Sequence, residues 1–81
     1  MMLIDLEQIK EILKDIDDSI NVDEIKKESD LFADNFLDSL QAVELFMVLE
    51  EKFNFNIDQY EKQIRNYKVK SLLDFINGKK V

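Results

Sequence analysis

The chain has 81 residues, 46% of them hydrophobic and 36% charged, with eighteen Asp and Glu against eleven Lys and Arg for a net charge of −7. That length supports a single domain over 1–81 with one compact core, and one Gly and no Pro favour helices over turns and strands, so the expected class is all-α. With neither Cys nor His, the composition excludes disulfides, thiolate nucleophiles, the usual zinc ligands and a Ser–His dyad.

The charge is uneven. Residues 1–37 hold eleven acids and four bases, 38–53 four acids and one base, and 54–81 three acids and six bases. A net acidic chain is repelled by phosphate backbones, so nucleic acid is not an expected partner, and the basic final third reads as a solvated helix surface and tail. There is no long apolar run and no cationic segment followed by an apolar one, and the opening MMLI is too short to target anything. The expectation is a soluble cytoplasmic protein without membrane insertion, and a monomer.

Leu6, Ile9, Ile12, Leu13 and Ile16 recur at helical spacing, and Asp5 with Gln8 three residues later resembles a capping box. A first helix is predicted over about 5–17, with Glu7, Lys10, Glu11 and Lys14 on its solvated face. Residues 17–37 read as a long connection pinned by Ile20, Val22, Ile25, Leu31, Phe32 and Phe36, with a helical turn near Val22 to Lys27. Its acidic run superficially suggests a calcium loop. Starting at Asp15, however, the sixth position is Ile20 where glycine is wanted, and the twelfth is Lys26 where a bidentate glutamate is wanted.

The strongest pattern runs from Leu37 to Phe53, LDSLQAVELFMVLEEKF. Asp38 is a preferred N-cap type, which puts Ser39 at the start of a helix, where added negative charge is best tolerated. At about 100° per residue, Ala42, Leu45, Phe46, Leu49 and Phe53 gather on one side as the expected buried face. Leu40, Val43 and Met47 gather on nearly the opposite side, flanked by Glu44, Glu50 and Glu51. This second stripe is either covered by another part of the chain or is a recognition surface for a basic partner.

Beyond it, Asn54-Phe55-Asn56 reads as a turn, and Ile57 with Asp58 and Glu61 is spaced as another capping box. Tyr60, Ile64 and Tyr67 predict a short helix over about 58–65. The last helix carries Val69, Leu72, Leu73 and Ile76 inward and stops near Gly78, with Lys79 and Lys80 just past its end, where cations suit the dipole.

The run from Asp38 to Phe53 resembles the phosphopantetheine-attachment motif of the acyl carrier protein family, in which the serine after the aspartate carries the prosthetic arm. The tripeptide Asp38-Ser39-Leu40 is weak evidence alone; Val43-Glu44-Leu45 and Leu49-Glu50-Glu51-x-Phe53 make the string specific. Leu37 departs from the glycine that the fatty-acid members often have before the aspartate, which bears on subfamily and not on the arm. The resemblance implies a four-helix bundle of the acyl carrier type, with a short third helix and a long loop between the first two. It implies 4′-phosphopantetheine on Ser39, placed there from coenzyme A by a phosphopantetheinyl transferase, with Asp38 helping that enzyme position its metal and coenzyme A. It implies a carrier and not an enzyme, whose Leu40, Val43, Glu44, Met47, Glu50 and Glu51 meet basic patches on acyl- or aminoacyl-loading and acyl-processing enzymes.

Cargo stays open. The helix pattern is similar to carriers of fatty-acid synthesis, while Phe36-Leu37-Asp38-Ser39 and the segment IDQYEKQIRN at 57–66 are similar to D-alanyl carriers, and a peptidyl carrier is a third subfamily. Phe46, Ile57, Ile64 and Leu72 could line an acyl cavity or be ordinary core. Outside the family, the chain could be a helical adaptor without an arm, with Ser39 only a capping hydroxyl. A hydrolase using Ser39 lacks the histidine it would need.

Overall fold

A computed structural model describes residues 4–78. Four helices form the molecule: α1 (Leu6–Ile16), α2 (Ser39–Phe53), α3 (Ile57–Gln63) and α4 (Val69–Ile76), with a 3-10 turn at Val22–Glu24 in the long connection. Among the described residues there is no strand, only an isolated antiparallel bridge between Asp30 and Lys68. Among those residues no helix is long and apolar enough to cross a membrane and no cluster of acidic side chains could hold a metal ion.

The helix starts follow local chemistry. Asp5 Oδ1 accepts from the Gln8 N–H at 3.0 Å while Gln8 Oε1 accepts from the Asp5 N–H at 3.0 Å, so the box expected at α1 is closed. α3 corrects the expectation. It begins one residue earlier, at Ile57, and its cap is Asn56, whose Oδ1 accepts from the Gln59 N–H at 3.1 Å; Asp58 and Glu61 lie inside the helix. Asn54, at φ 55°, takes the left-handed conformation that ends α2, Phe55 is buried and Asn56 caps α3, so these three residues are the whole link between the two helices. α4 lacks a side-chain cap. Carbonyls of the long connection serve in its place, Ser29 accepting from the Val69 N–H and Lys27 from the Lys70 N–H, both at 2.9 Å. Gly78, at φ 76°, follows the helix as expected, whereas the positions of Lys79 and Lys80 lie outside the described residues.

Those hydrogen bonds explain how a connection without glycine or proline is ordered. Asp30 accepts from the N–H groups of Phe32, Ala33 and Tyr67, and the Leu31 N–H donates to the Tyr67 carbonyl at 3.0 Å. Ile20, Val22, Ile25, Leu31 and Leu37 are buried in the core. Phe32, read from sequence as an anchor, is 45% exposed and only stands edge-on to Tyr67, with ring centroids 6.2 Å apart.

The interior divides in two. Between α2, α3 and α4 it is aromatic: Tyr60 lies 5.2 Å from Phe75 and 5.5 Å from Phe55, and Phe46 stacks on Phe55 at 6.0 Å, centroid to centroid. The Tyr60 hydroxyl donates to the Asn66 carbonyl at 2.8 Å, and burial pushes its pKa up. The Tyr67 hydroxyl donates to Glu61, which pushes its pKa up to about 12. Between α1 and α2 the packing is aliphatic, through Ile9, Ile12, Leu13, Leu45 and Leu49. The residues weighed as an acyl cavity all belong to the packed core: Ile64 and Leu72 are buried, and Phe46 and Ile57 are packed against them in part.

Candidate functional site: the N-terminus and outer face of the second helix

The site starts from a cap. Asp38 is extended, at φ −87°, ψ −179°, and its Oδ1 accepts from the Gln41 N–H at 2.8 Å. Gln41 Oε1 reaches back to the Asp38 N–H at 3.0 Å, closing a capping box that puts Ser39 at the first helical position. The Asp38-x-x-Gln41 spacing was the signal for this box in the sequence, of the same form as Asp5-x-x-Gln8.

Four N–H groups of a helix start lack intrahelical partners. The box satisfies two, and those of Ser39 and Leu40 have no hydrogen-bond partner among the described residues. Two free donors and the positive end of the helix dipole therefore face whatever is joined to the exposed Ser39 hydroxyl. A phosphodiester there would have those two donors and the helix dipole in its favour. The site fits the prosthetic group that the motif implies.

One long-range bond holds the box. Gln41 Nε2 donates to Asp17 Oδ2 at 2.7 Å. Asp17, just past the end of α1, also accepts from the Ser19 N–H at 2.9 Å and the Ser19 hydroxyl at 2.7 Å. The Ser19 hydroxyl first, then its N–H and the Gln41 amide, hold the Asp17 carboxyl below its ordinary 3.8. Sequence reasoning missed Asp17 and Gln41 as a pair, because a contact across 24 residues leaves no periodic signal.

Leu40, Val43 and Met47 are 69%, 52% and 58% exposed, so no other part of the described chain covers them. Glu44, Glu50 and Glu51 are exposed beside them. On the wheel Glu44 and Glu51 lie toward α1 and Glu50 lies on the other flank, so the carboxylates border the apolar strip on both sides. Strip and Ser39 share the same helix, the hydroxyl at its N-terminal end. Phe32 is the fourth large apolar side chain exposed among the described residues.

Comparison with known proteins agrees. The model of the phosphopantetheine attachment site family matches residues 7–61. An acyl carrier protein of Nitratidesulfovibrio vulgaris (strain DP4) is 34% identical over 73 residues, which cover 90% of this chain and 93% of that protein. One of Thermosynechococcus vestitus is 38% identical over 75 residues, 91% of this chain and 89% of that protein. One of Wolinella succinogenes is 47% identical over 45 residues, 56% of this chain and 59% of that protein. A match over most of the chain, on a helical bundle that exposes a serine at the expected helix start, leads to one conclusion: this chain belongs to the acyl carrier protein family, carriers and not catalysts, whose prosthetic group is covalently attached 4′-phosphopantetheine.

Proposed function

We propose that Ser39 is the attachment residue and that the chain, a single carrier domain acting in the cytoplasm, holds acyl intermediates for the enzymes of fatty acid biosynthesis. The observation that carries the reading is the exposed Ser39 hydroxyl at a capped helix start beside two N–H groups without partners. A phosphopantetheinyl transferase supplies the base, since this chain has no histidine; the serine oxygen forms a bond to phosphorus as the coenzyme A phosphoanhydride breaks and the nucleotide leaves. The attached arm ends in a thiol that holds acyl groups as thioesters. Asp38 fixes the first turn and helps the transferase place its metal and coenzyme A. The Ser39 and Leu40 N–H groups stabilise the phosphodiester charge.

Leu40, Val43 and Met47 make the apolar contact with each partner enzyme, and Glu44, Glu50 and Glu51 speed the encounter with its basic patch. Such rim charges act mostly on the rate of association and are screened by salt, which suits a carrier that must let go.

A second cargo has an observation in its favour. Phe46, Phe55, Tyr60 and Phe75 fill the space between α2, α3 and α4, which favours a small group such as an aminoacyl residue, loaded by an adenylating ligase, over a long chain held inside. Co-expression with a broad-specificity transferase followed by intact mass tests the attachment: one added arm is expected, and none in Ser39→Ala. An arm that persists in Ser39→Ala, or none in the parent chain, defeats the reading. Incubating the arm-bearing form with a malonyl transferase and with a D-alanine-activating ligase then decides the cargo by which one loads it.

A further inference from the structure

A groove of about 400 Å³ runs between α1 and α2, on the side of the docking strip that faces α1. Ile12, Ile16 and Val48 line its apolar part, the first buried and the others partly so. Asp15 projects from α1, and Glu44 and Glu51 from α2; all three are exposed, and none makes a side-chain hydrogen bond or ion pair among the described residues. Met47, 58% exposed, belongs both to this lining and to the strip of Leu40 and Val43, so groove and strip are one continuous surface.

We propose that the groove seats one apolar side chain of a basic protein segment, a Leu or Phe flanked by Lys and Arg, so that partners grip α1 as well as α2. The proposal rests on the carrier reading and extends its docking face from one helix to two. The occupant is chosen by charge. Three carboxylates against the single ammonium of Lys52 attract a cationic segment at long range, while the aliphatic lining gives a desolvated seat at contact. A second copy brings the same net charge of −7, and anionic lipid surfaces and nucleic acids are repelled for the same reason. Two other depressions carry a comparable acidic excess but less aliphatic lining, Val22 alone in one and Ile20 in the other, and the one beside Ile4 sets Lys27 and Lys70 against Asp5 and Asp74.

Methyl NMR of the unmodified 81-residue chain tests the proposal by titration with a synthetic helical peptide bearing one Leu among Lys and Arg, and with a control in which Glu replaces the cations. Expected are saturable shifts at Ile12, Ile16 and Val48 with the basic peptide and none with the control. Asp15→Lys and Glu51→Lys, both at exposed positions that the fold does not need, should each bind about fivefold more weakly at low salt. Shifts confined to Leu40 and Val43, affinity unchanged in both variants, no binding of the basic peptide, or a dimer with these methyls at its interface each overturns it. Arm attachment is read separately by mass on the parent chain. A chain that takes the arm but ignores the peptide sinks only the groove, and one that binds the peptide but takes no arm sinks only the carrier reading.

Discussion

Helices α1 and α2 begin with the same Asp-x-x-Gln box, yet one turns all its apolar side chains inward and the other does not. In α1, Ile9, Ile12 and Leu13 are buried, Leu6 and Ile16 pack against the core, and charged residues take the rest. In α2, Leu45 and Leu49 do the same work, while Leu40, Val43 and Met47 stand in water. The caps differ too: the Gln8 box is local, whereas the Gln41 amide is held from across the fold by Asp17. A helix built only for stability needs one stripe. The surplus on α2 lies next to Ser39, and the added bond braces the turn that presents that hydroxyl.

Leu49 and Met47 sharpen the contrast most. Leu49→Ala, at a fully buried position, should cost about 2–5 kcal/mol in urea unfolding, whereas Met47→Ala should stay within about 0.5 kcal/mol. Equal losses would mean that the outer stripe is structural after all. The same Met47→Ala change should raise the KM of a phosphopantetheinyl transferase for the chain about tenfold, as removal of a docking anchor does. Asp5→Ala comes next, costing about 1 kcal/mol as a lost cap and leaving arm attachment alone.

A smaller effect separates the two boxes by pH. Asp17 is held below 3.8 in the folded chain, so its bonds stabilise the fold fully above about pH 4, and that contribution fades as pH falls through the lowered folded value. The gap in urea midpoint between the parent and Asp17→Ala should therefore shrink from pH 6 to pH 3. A gap constant over that range would count against the bond. Smallest is the response to ions: with a net charge of −7 and the acids crowded into the first half of the chain, added salt or millimolar magnesium should raise the melting temperature. The same salt should weaken docking at the carboxylate rim, and opposite signs in the two measurements distinguish self-repulsion from partner attraction.

Much of this was local enough to be legible. Asp5 and Asp38 announced their helix starts, the spacing of Leu40, Val43 and Met47 announced an outer stripe, and the string around Ser39 announced the attachment motif. Asn56 was passed over as a cap because Asp58 and Glu61 offered the same spacing two residues later, a competition that local preference cannot rank. Phe32 was assigned to the core because an aromatic side chain in a loop is expected to anchor it, yet Asp30 holds that segment by its N–H groups and Phe32 is left outside.

The amino-acid order by itself determined the four helices, the caps of α1 and α2 and the two faces of α2, since those follow from hydrogen bonds and periodicities within a few residues. Only the tertiary structure decided that Asp17 braces Gln41, that carbonyls of Lys27 and Ser29 cap α4, and that a carboxylate-rimmed groove opens beside the docking strip. Each of these joins groups distant in sequence, and such meetings depend on how the helices pack and leave no mark in the spacing along the chain.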